Sequence, residues 1–505
     1  MPGYTKLMTI FTLPPGSAEA GSSIVYIFNG TLWVAFAATL VWLWRWARTK
    51  DVSRANLRLQ TFLLSTPILI VLTLGAIFNV GSGSYSSYEV PRDILQDIQS
   101  AKFFWAGQPV FPLEMRDQIK ETLDHEPAPA TLGAWFPEVA KAEKESYDKL
   151  VHDPWTQAHP ATMTLLLATL VPWLGVRHIV LLFCFGSVCA LLGTFRILRK
   201  ELGSGRAEDS RLWLALTLAC LGWYPFYMIL RNGQITFVLT LLLAASWYFL
   251  RHERNIAAGV CIGLATGLKL FPGLLIVYLF FRHRKAFWPA AIAAGSLLAT
   301  AFAIIGRQNT LDYFKVVHYV ETFYMSYRAN LSIQSVLLGI ASPRLAAILA
   351  RVIFIVSLGL LAWLATRREQ KAYPIRALDL EYSMFMTAVL LLSPLCWDNY
   401  LVLLVLPMTV LLFGLREGSV FAQNHMRTVA FVLVAAVAAI PEPFGIWMAR
   451  LSHPRFTMFF YKTPVIAVAG VLALLWGMRI QLAQPSIALP VPQSDDGMQE
   501  RPVAA

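Results

Sequence analysis

Charge is scarce in this sequence, and what there is falls in clumps. Only 14% of the 505 residues are Asp, Glu, Lys or Arg, against 57% hydrophobic residues and a mean hydropathy of +0.56. Soluble domains run near ~25% charged and ~45–50% apolar, and a single water-soluble core stops growing at ~250–300 residues. A soluble globule of this composition is excluded. Cysteine is also sparse. Four of the five (Cys184, Cys189, Cys220 and Cys261) lie in apolar runs and Cys396 lies at a helix end, none at CxxC spacing. Neither a zinc site nor a disulfide framework is expected, and the cysteines read as small buried hydrophobes. The first 23 residues lack a basic segment followed by an apolar one, so no cleaved signal peptide is expected. There is no repeat of fixed period, no glycine-rich phosphate loop and no cluster of metal-ligand spacing. No cofactor is expected, although a divalent cation held by carboxylates stays open.

What is present is a series of apolar runs separated by short basic breaks, the pattern of repeated bilayer crossings. The net charge of +12 sits at the ends of these runs, where Lys and Arg mark cytoplasmic loops. The charge is thus a topology signal, and nucleic acid is not an expected partner. Run 24–43 is followed by Arg45, Arg48, Lys50, Arg54 and Arg58, which places that loop inside, and run 62–80 returns outward. Residues 81–159 form a long polar segment. Within it, Ile94, Ile98, Ala101 and Trp105 recur at helical spacing, so 93–106 reads as an amphipathic helix lying at the interface. Run 161–174 is too short to cross comfortably and reads as interfacial or re-entrant; run 176–198, ending in basic residues, is the next span.

Run 212–230 then crosses outward and run 235–250 inward. Run 256–281 lies between two basic clusters, Arg251/Arg254 and Arg282/Arg284/Lys285, so it must cross an even number of times. A hairpin of two short arms broken at 269–272 satisfies this, because Pro272 cannot donate a backbone hydrogen bond. Spans follow at 287–305, 345–365, 380–392, 401–415, 429–440 and 465–478, with an outer segment from 307 to 342. The tail 481–505, rich in Pro, Gln and Ser, reads as disordered. The fold class is an all-α polytopic membrane protein of about 11–13 spans. It divides into an N-terminal helix pair (1–80), an extracytoplasmic loop with a re-entrant segment (81–174), a transmembrane bundle (175–480) and the tail (481–505).

The polar corners of this layout all fall on the outer side: Asp93/Asp97, Arg231 to Gln234, Lys269, Asn330 to Gln334 and Trp397 to Tyr400. An ionisable residue at bilayer depth costs at least ~2.5–3.5 kcal/mol and needs a partner or a ligand. Lys269, with no acidic residue near it in sequence, therefore either snorkels to the interface or attracts a lipid phosphate. Asp93 and Asp97, one helical turn apart, share a face. They suit a general base with an orienting neighbour, or simply acids at a helix start. Arg231 to Gln234 also reads as a polar turn, and Trp397 as an interfacial anchor beside Asp398.

Taken together, four of these corners resemble a known family. They are Asp93-Ile-Leu-Gln-Asp97 with Gly107-Gln-Pro-Val-Phe111, Asn232-Gly-Gln234, the stretch from Ala258 to Lys269-Leu-Phe-Pro272, and Ser393-Pro-Leu-Cys-Trp397-Asp398-Asn399-Tyr400; Asn330-Leu-Ser332 is a weaker fifth. In order and spacing they are similar to the multi-pass glycosyltransferases of GT-C architecture that include the bacterial polyprenyl-phosphate-mannose-dependent alpha-mannosyltransferases. The resemblance implies a GT-C-like bundle with a large first extracytoplasmic loop, in a bacterial inner membrane, with its active site on the extracytoplasmic face. It implies transfer of a sugar, mannose being the best-known one, from a polyprenyl-phosphate donor to a hydroxyl of a glycolipid or glycan, with inversion. The family's catalytic aspartate maps to Asp93. Substrate contacts are expected from Asp97, Arg231, Asn232, Gln234, Lys269, Arg328, Asn330, Ser332, Trp397, Asp398 and Asn399. Phe111 stands where Tyr is usual, and Asn399 where His often follows the Trp. The first span and the insert at 117–149 also depart from the simplest members. A transporter or flippase is the competing class, since broken helices also line substrate paths; a non-catalytic assembly subunit is a third.

Overall fold

A glycine seam fixes the part of the bundle that matters most. In the computed structural model, helix α8 (Asn255–Leu268) carries Gly259, Gly263 and Gly267 one turn apart, all against helix α10 (Arg284–Tyr324). A Cβ at Gly259 would overlap the Ala286 carbonyl oxygen, one at Gly263 would lie 2.5 Å from the Ala293 Cβ, and one at Gly267 would strike Leu297. Small residues at this spacing let two backbones approach closely, which is how helices associate where lipid removes the hydrophobic drive.

The structure describes residues 66–77, 80–81, 92–115, 117–119, 121, 156–203, 207–325, 330–367, 376–416 and 454–483. Among them every regular element is helical, and the chain is an all-α membrane protein. In chain order these are α1 (Thr66–Ile77), α2 (Arg92–Trp105), α3 (Ala161–Leu170), α4 (Val176–Leu202), α5 (Ala207–Leu221), α6 (Tyr224–Asn232) and α7 (Thr236–Arg251). After α8, a 3-10 turn (Phe271–Gly273) leads into α9 (Leu274–Arg282) and α10; α11 (Ile333–Leu338), α12 (Pro343–Thr366) and α13 (Ala377–Leu392) follow. A second 3-10 turn (Asp398–Leu404), α14 (Val405–Arg416) and α15 (Pro454–Ala483) complete the described bundle. The expected span 24–43 and its basic loop, most of the insert 117–149, Arg328, the span 429–440 and nearly all of the tail lie outside the described residues.

The α4, α10 and α12 helices are each long and apolar enough to cross a bilayer, and the α5–α6 pair makes a fourth if it counts as one. The larger number of crossings expected from the sequence rests on shorter apolar helices and on segments outside the described residues. Run 212–230, expected as one span, is broken, with α5 and α6 bent by 50°. The break falls at Gly222 and Trp223, and Pro225, within the first turn of α6, suits a helix start better than a helix interior. Helix α10 changes direction at Gly306, whose φ of 85° is left-handed backbone that glycine adopts without steric cost. The kink falls where the expected span 287–305 ends, and the outer segment beyond it is helical as far as Tyr324.

Buried ion pairs mark one end of the bundle. Arg251 at the end of α7 holds Glu201 of α4 at 2.9 Å and Asp379 of α13 at 2.7 Å, and Trp247 donates to Asp379 at 2.9 Å. Glu381 pairs in charge with Arg282 of α9 at 3.2 Å and accepts from Arg479 of α15 at 2.7 Å; Arg479 also donates to the Arg367 carbonyl at 2.6 Å. The start of α8, just past Arg251, and the end of α9 at Arg282 thus share one end, with Lys269 between them in the chain. This is the hairpin of two short arms expected for 256–281.

Candidate active site

At the opposite end the helices open around a cavity of about 480 Å3, within the ~300–1,000 Å3 range of small-molecule sites. One wall begins with α2, the amphipathic helix expected at 93–106. It buries Ile94, Leu95, Ile98 and Ala101 against the bundle and carries Asp93 in its first turn. Gly233 sets the position of the opposing residue. It caps α6 with φ 64° and ψ 36°, and a Cβ there would collide with Ile94. Only glycine lets that turn press onto α2, and the following residue, Gln234, then faces Asp93.

Gln234 joins the two charged groups of the site. Its amide nitrogen donates to Asp93 Oδ2, and its Oε1 accepts from Lys269 Nζ at 2.7 Å. An ammonium only donates and an ionised carboxylate only accepts, so the amide is oriented by both neighbours. Lys269 is 5% exposed and sits in the break after α8, its Nζ 4.4 Å from the Tyr400 ring centroid. It does not snorkel to the surface. Its link to a carboxylate runs through Gln234 to Asp93 on α2, which sequence proximity did not supply.

The Trp397 to Tyr400 corner is held from below. Asn330, fully buried, donates to the Pro394 carbonyl at 3.1 Å, and its Oδ1 accepts from the backbone N–H groups of Cys396 and Ser332, each at 3.1 Å. Leu331 N donates to the Cys396 carbonyl at 2.6 Å. Ser332 caps α11 by accepting from Ser335 N at 3.2 Å. Asp398 starts the second 3-10 turn and accepts from Asn399 N at 2.8 Å. Trp397 packs edge-on against Tyr324 at 5.2 Å.

Of the residues expected at the site, Asp93, Asn232, Gln234, Lys269, Trp397, Asp398 and Asn399 line this one cavity. Asn330 and Ser332 do not; their polar atoms organise the loop that carries Trp397. Arg231 and Asp97 are buried behind the wall. Asp97 accepts from Gln157 at 2.6 Å and meets His159 Nδ1 at 2.8 Å. Phe111 packs on Tyr313 at 5.2 Å.

The cavity also takes residues that the sequence reading passed over: His159 and Thr156 ahead of α3, and Tyr313, Val317, Val320, Glu321 and Tyr324 along one face of the outer part of α10. Burial pushes the Glu321 carboxyl above its ordinary value, while the nearby His318 acts the other way. The helical spacing from Tyr313 to Tyr324 was a readable signal; His159 offered none beyond its place before Pro160.

Comparison with known proteins meets this geometry at several points. Residues 157–394 match glycosyltransferase family 87. Over 288 residues the chain is 29% identical to a polyprenol-phosphate-mannose-dependent alpha-(1-2)-phosphatidylinositol pentamannoside mannosyltransferase of Mycobacterium tuberculosis (strain CDC 1551 / Oshkosh), a stretch that covers 55% of this chain and 61% of that protein. No solved structure matches. The family match includes His159, Gln234, Lys269 and Asn330, with Asp93 ahead of it and Trp397 just past its end. Through residues 157–394 the chain aligns with glycosyltransferase family 87, and the resemblance drawn from its motifs to the GT-C polyprenyl-phosphate-sugar-dependent mannosyltransferases holds.

Proposed function

We propose that this protein is a membrane glycosyltransferase that moves a sugar from a polyprenyl-phosphate donor to an acceptor hydroxyl on the extracytoplasmic face of a bacterial inner membrane. Mannose is the sugar favoured by the printed activity of the mycobacterial relative, and a glycolipid or glycan is the acceptor class. The observation that carries the reading is the Asp93–Gln234–Lys269 chain, which sets a carboxylate and an ammonium in one cavity at one end of a lipid-embedded bundle.

Asp93 takes the proton of the acceptor hydroxyl as its oxygen attacks the anomeric carbon from the face opposite the phosphate, which inverts the configuration. The phosphate departs with the bonding electrons, and Lys269 stands where fixed positive charge lowers the cost of that departure. The sheltered setting strengthens this attraction relative to water. Trp397 and Tyr324 give the sugar rings an aromatic wall. Lys269 supplies the charge that this reading needs, so chelation with EDTA should leave turnover unchanged; a strict requirement for added Mg2+ or Mn2+ would move the phosphate contact to a metal ion.

The test is incubation of purified protein with labelled polyprenyl-phosphate sugars and a lipid extract. Transfer by the wild type and its loss in Asp93→Asn, with folding intact, is the expected result. Label crossing sealed vesicles without transfer would instead favour the transporter class, against which the buried ion pairs at the far end already speak.

A further inference from the structure

The geometry points to His159, oriented by Asp97, as a second donor to the departing phosphate beside Lys269. This rests on the glycosyltransferase reading and deepens it. His159 lines the cavity, while Asp97, 2% exposed, lies behind it. Both carboxylate oxygens of Asp97 face the ring's Nδ1, at 2.8 and 3.0 Å, and Gln157 donates to Oδ1 of the same carboxylate at 2.6 Å. An ionised carboxylate can only accept, so Nδ1 carries a proton. That leaves Nε2 as the ring's working atom.

Two further observations place His159 with the cation already assigned. Thr162, one turn beyond it, donates to the Gly267 carbonyl, two residues before Lys269. Asp97 lies one turn after Asp93 on α2, and Asp93 is joined to Lys269 through Gln234, so the helix that holds His159 also anchors the link to Lys269. His159 and Lys269 therefore lie on one side of the cavity, and each is tied to α2.

The acceptor oxygen bonds to the anomeric carbon while the bond from that carbon to the phosphate oxygen breaks. The bonding electrons leave with the phosphate, and the hydroxyl proton passes to Asp93. A sugar phosphodiester becomes a phosphate monoester and gains negative charge. The imidazolium form of His159 donates from Nε2 to that oxygen, and Asp97 fixes the ring plane and balances its charge.

The experiment measures sugar transfer, and binding of polyprenyl monophosphate (the spent donor), by protein in nanodiscs. His159→Ala should bind the monophosphate at least about tenfold more weakly and lower kcat by about 100-fold, and added imidazole should restore part of the rate. Asp97→Asn should lower kcat in the wild type and change little in the His159→Ala background, because it acts through the ring. If the alanine variant does not fold, His159→Gln carries the same test, with weaker monophosphate binding and lower kcat expected. Equal binding and turnover within threefold of wild type would overturn the assignment. So would a loss of rate with unchanged binding and no response to imidazole, which marks a merely structural role. If the wild type neither binds the monophosphate nor transfers sugar, the glycosyltransferase reading itself fails, which is a separate result.

Discussion

Gln234 is the residue on which the site's electrostatics turn. It has one donor end and one acceptor end, and uses the first on Asp93 and the second on Lys269. Removing the ammonium in Lys269→Ala should raise the donor KM by about tenfold or more, roughly the ~1.5–3 kcal/mol of a charged hydrogen bond, with the acceptor KM little changed. Steady-state kinetics with the two substrates varied separately would show it, and an unaltered donor response would remove Lys269 from phosphate recognition. Gln234→Leu separates the same two charges without changing either. It should leave the bundle folded and reduce turnover, read as kcat on protein of unchanged thermal midpoint.

Much of this was legible residue by residue. Lys269 stood out because charge in an apolar run demands an explanation, and Asp93 because it opens an amphipathic helix. What sequence spacing could not give was the partner. Asp93 and Lys269 are far apart in the chain and meet only after α2, the α6–α7 turn and the α8–α9 hairpin converge. His159 was missed for the same reason, since the carboxylate that orients it belongs to another element.

Among the helices, the close approach of α8 to α10 is what carries Lys269 to the cavity. Gly263→Leu would place a branched side chain where the Cβ alone already lies 2.7 Å from the Ala290 carbonyl oxygen. Overpacking of this kind costs ~1–3 kcal/mol, and here it should also shift the hairpin tip. The expected outcome is a lower thermal midpoint in detergent together with lost transfer. Gly233→Ala tests the α6 turn: an L-residue there carries the ~1–2 kcal/mol left-handed penalty and strikes Ile94. It should cost more activity than stability, because the displaced residue is Gln234. The hairpin followed from counting basic clusters, a rule about ends. The α5–α6 break did not, because hydropathy runs straight through Gly222 and Pro225 without registering a bend. The outer part of α10, read only as part of an outer segment from 307 to 342, is helical and lines the cavity with Tyr313, Val317, Val320 and Tyr324.

For the whole molecule, the two ends of the bundle differ in kind. Two basic residues read as topology markers also serve as ion-pair partners, Arg251 with Glu201 and Asp379 and Arg282 with Glu381, which the buried Arg479 meets as well. The charge-bias rule reads which side a loop faces and says nothing about which carboxylate waits there, so Asp379 and Glu381 were not singled out. Glu381→Ala should strand Arg479, itself fully buried, and cost ~3–5 kcal/mol, the usual penalty for breaking a buried pair. A chemical or thermal unfolding series would measure it, and the double change Glu381→Ala with Arg479→Leu should recover part of the loss. Sidedness has its own test. A cysteine at Asn232, in a background without the five natural cysteines, should react with a membrane-impermeant thiol reagent added to intact cells. Labelling only after the membrane is opened would reverse the orientation.

That ion-pair floor bears on more than stability. Among the described residues, a bundle stoppered at one end is a cup and not a pipe. Under the proposed function, protons stripped from the acceptor, and the spent carrier lipid, leave by the mouth through which the substrates came. If the proposed sugar transfer holds, a site built this way does its chemistry from one face and asks for no path to the other.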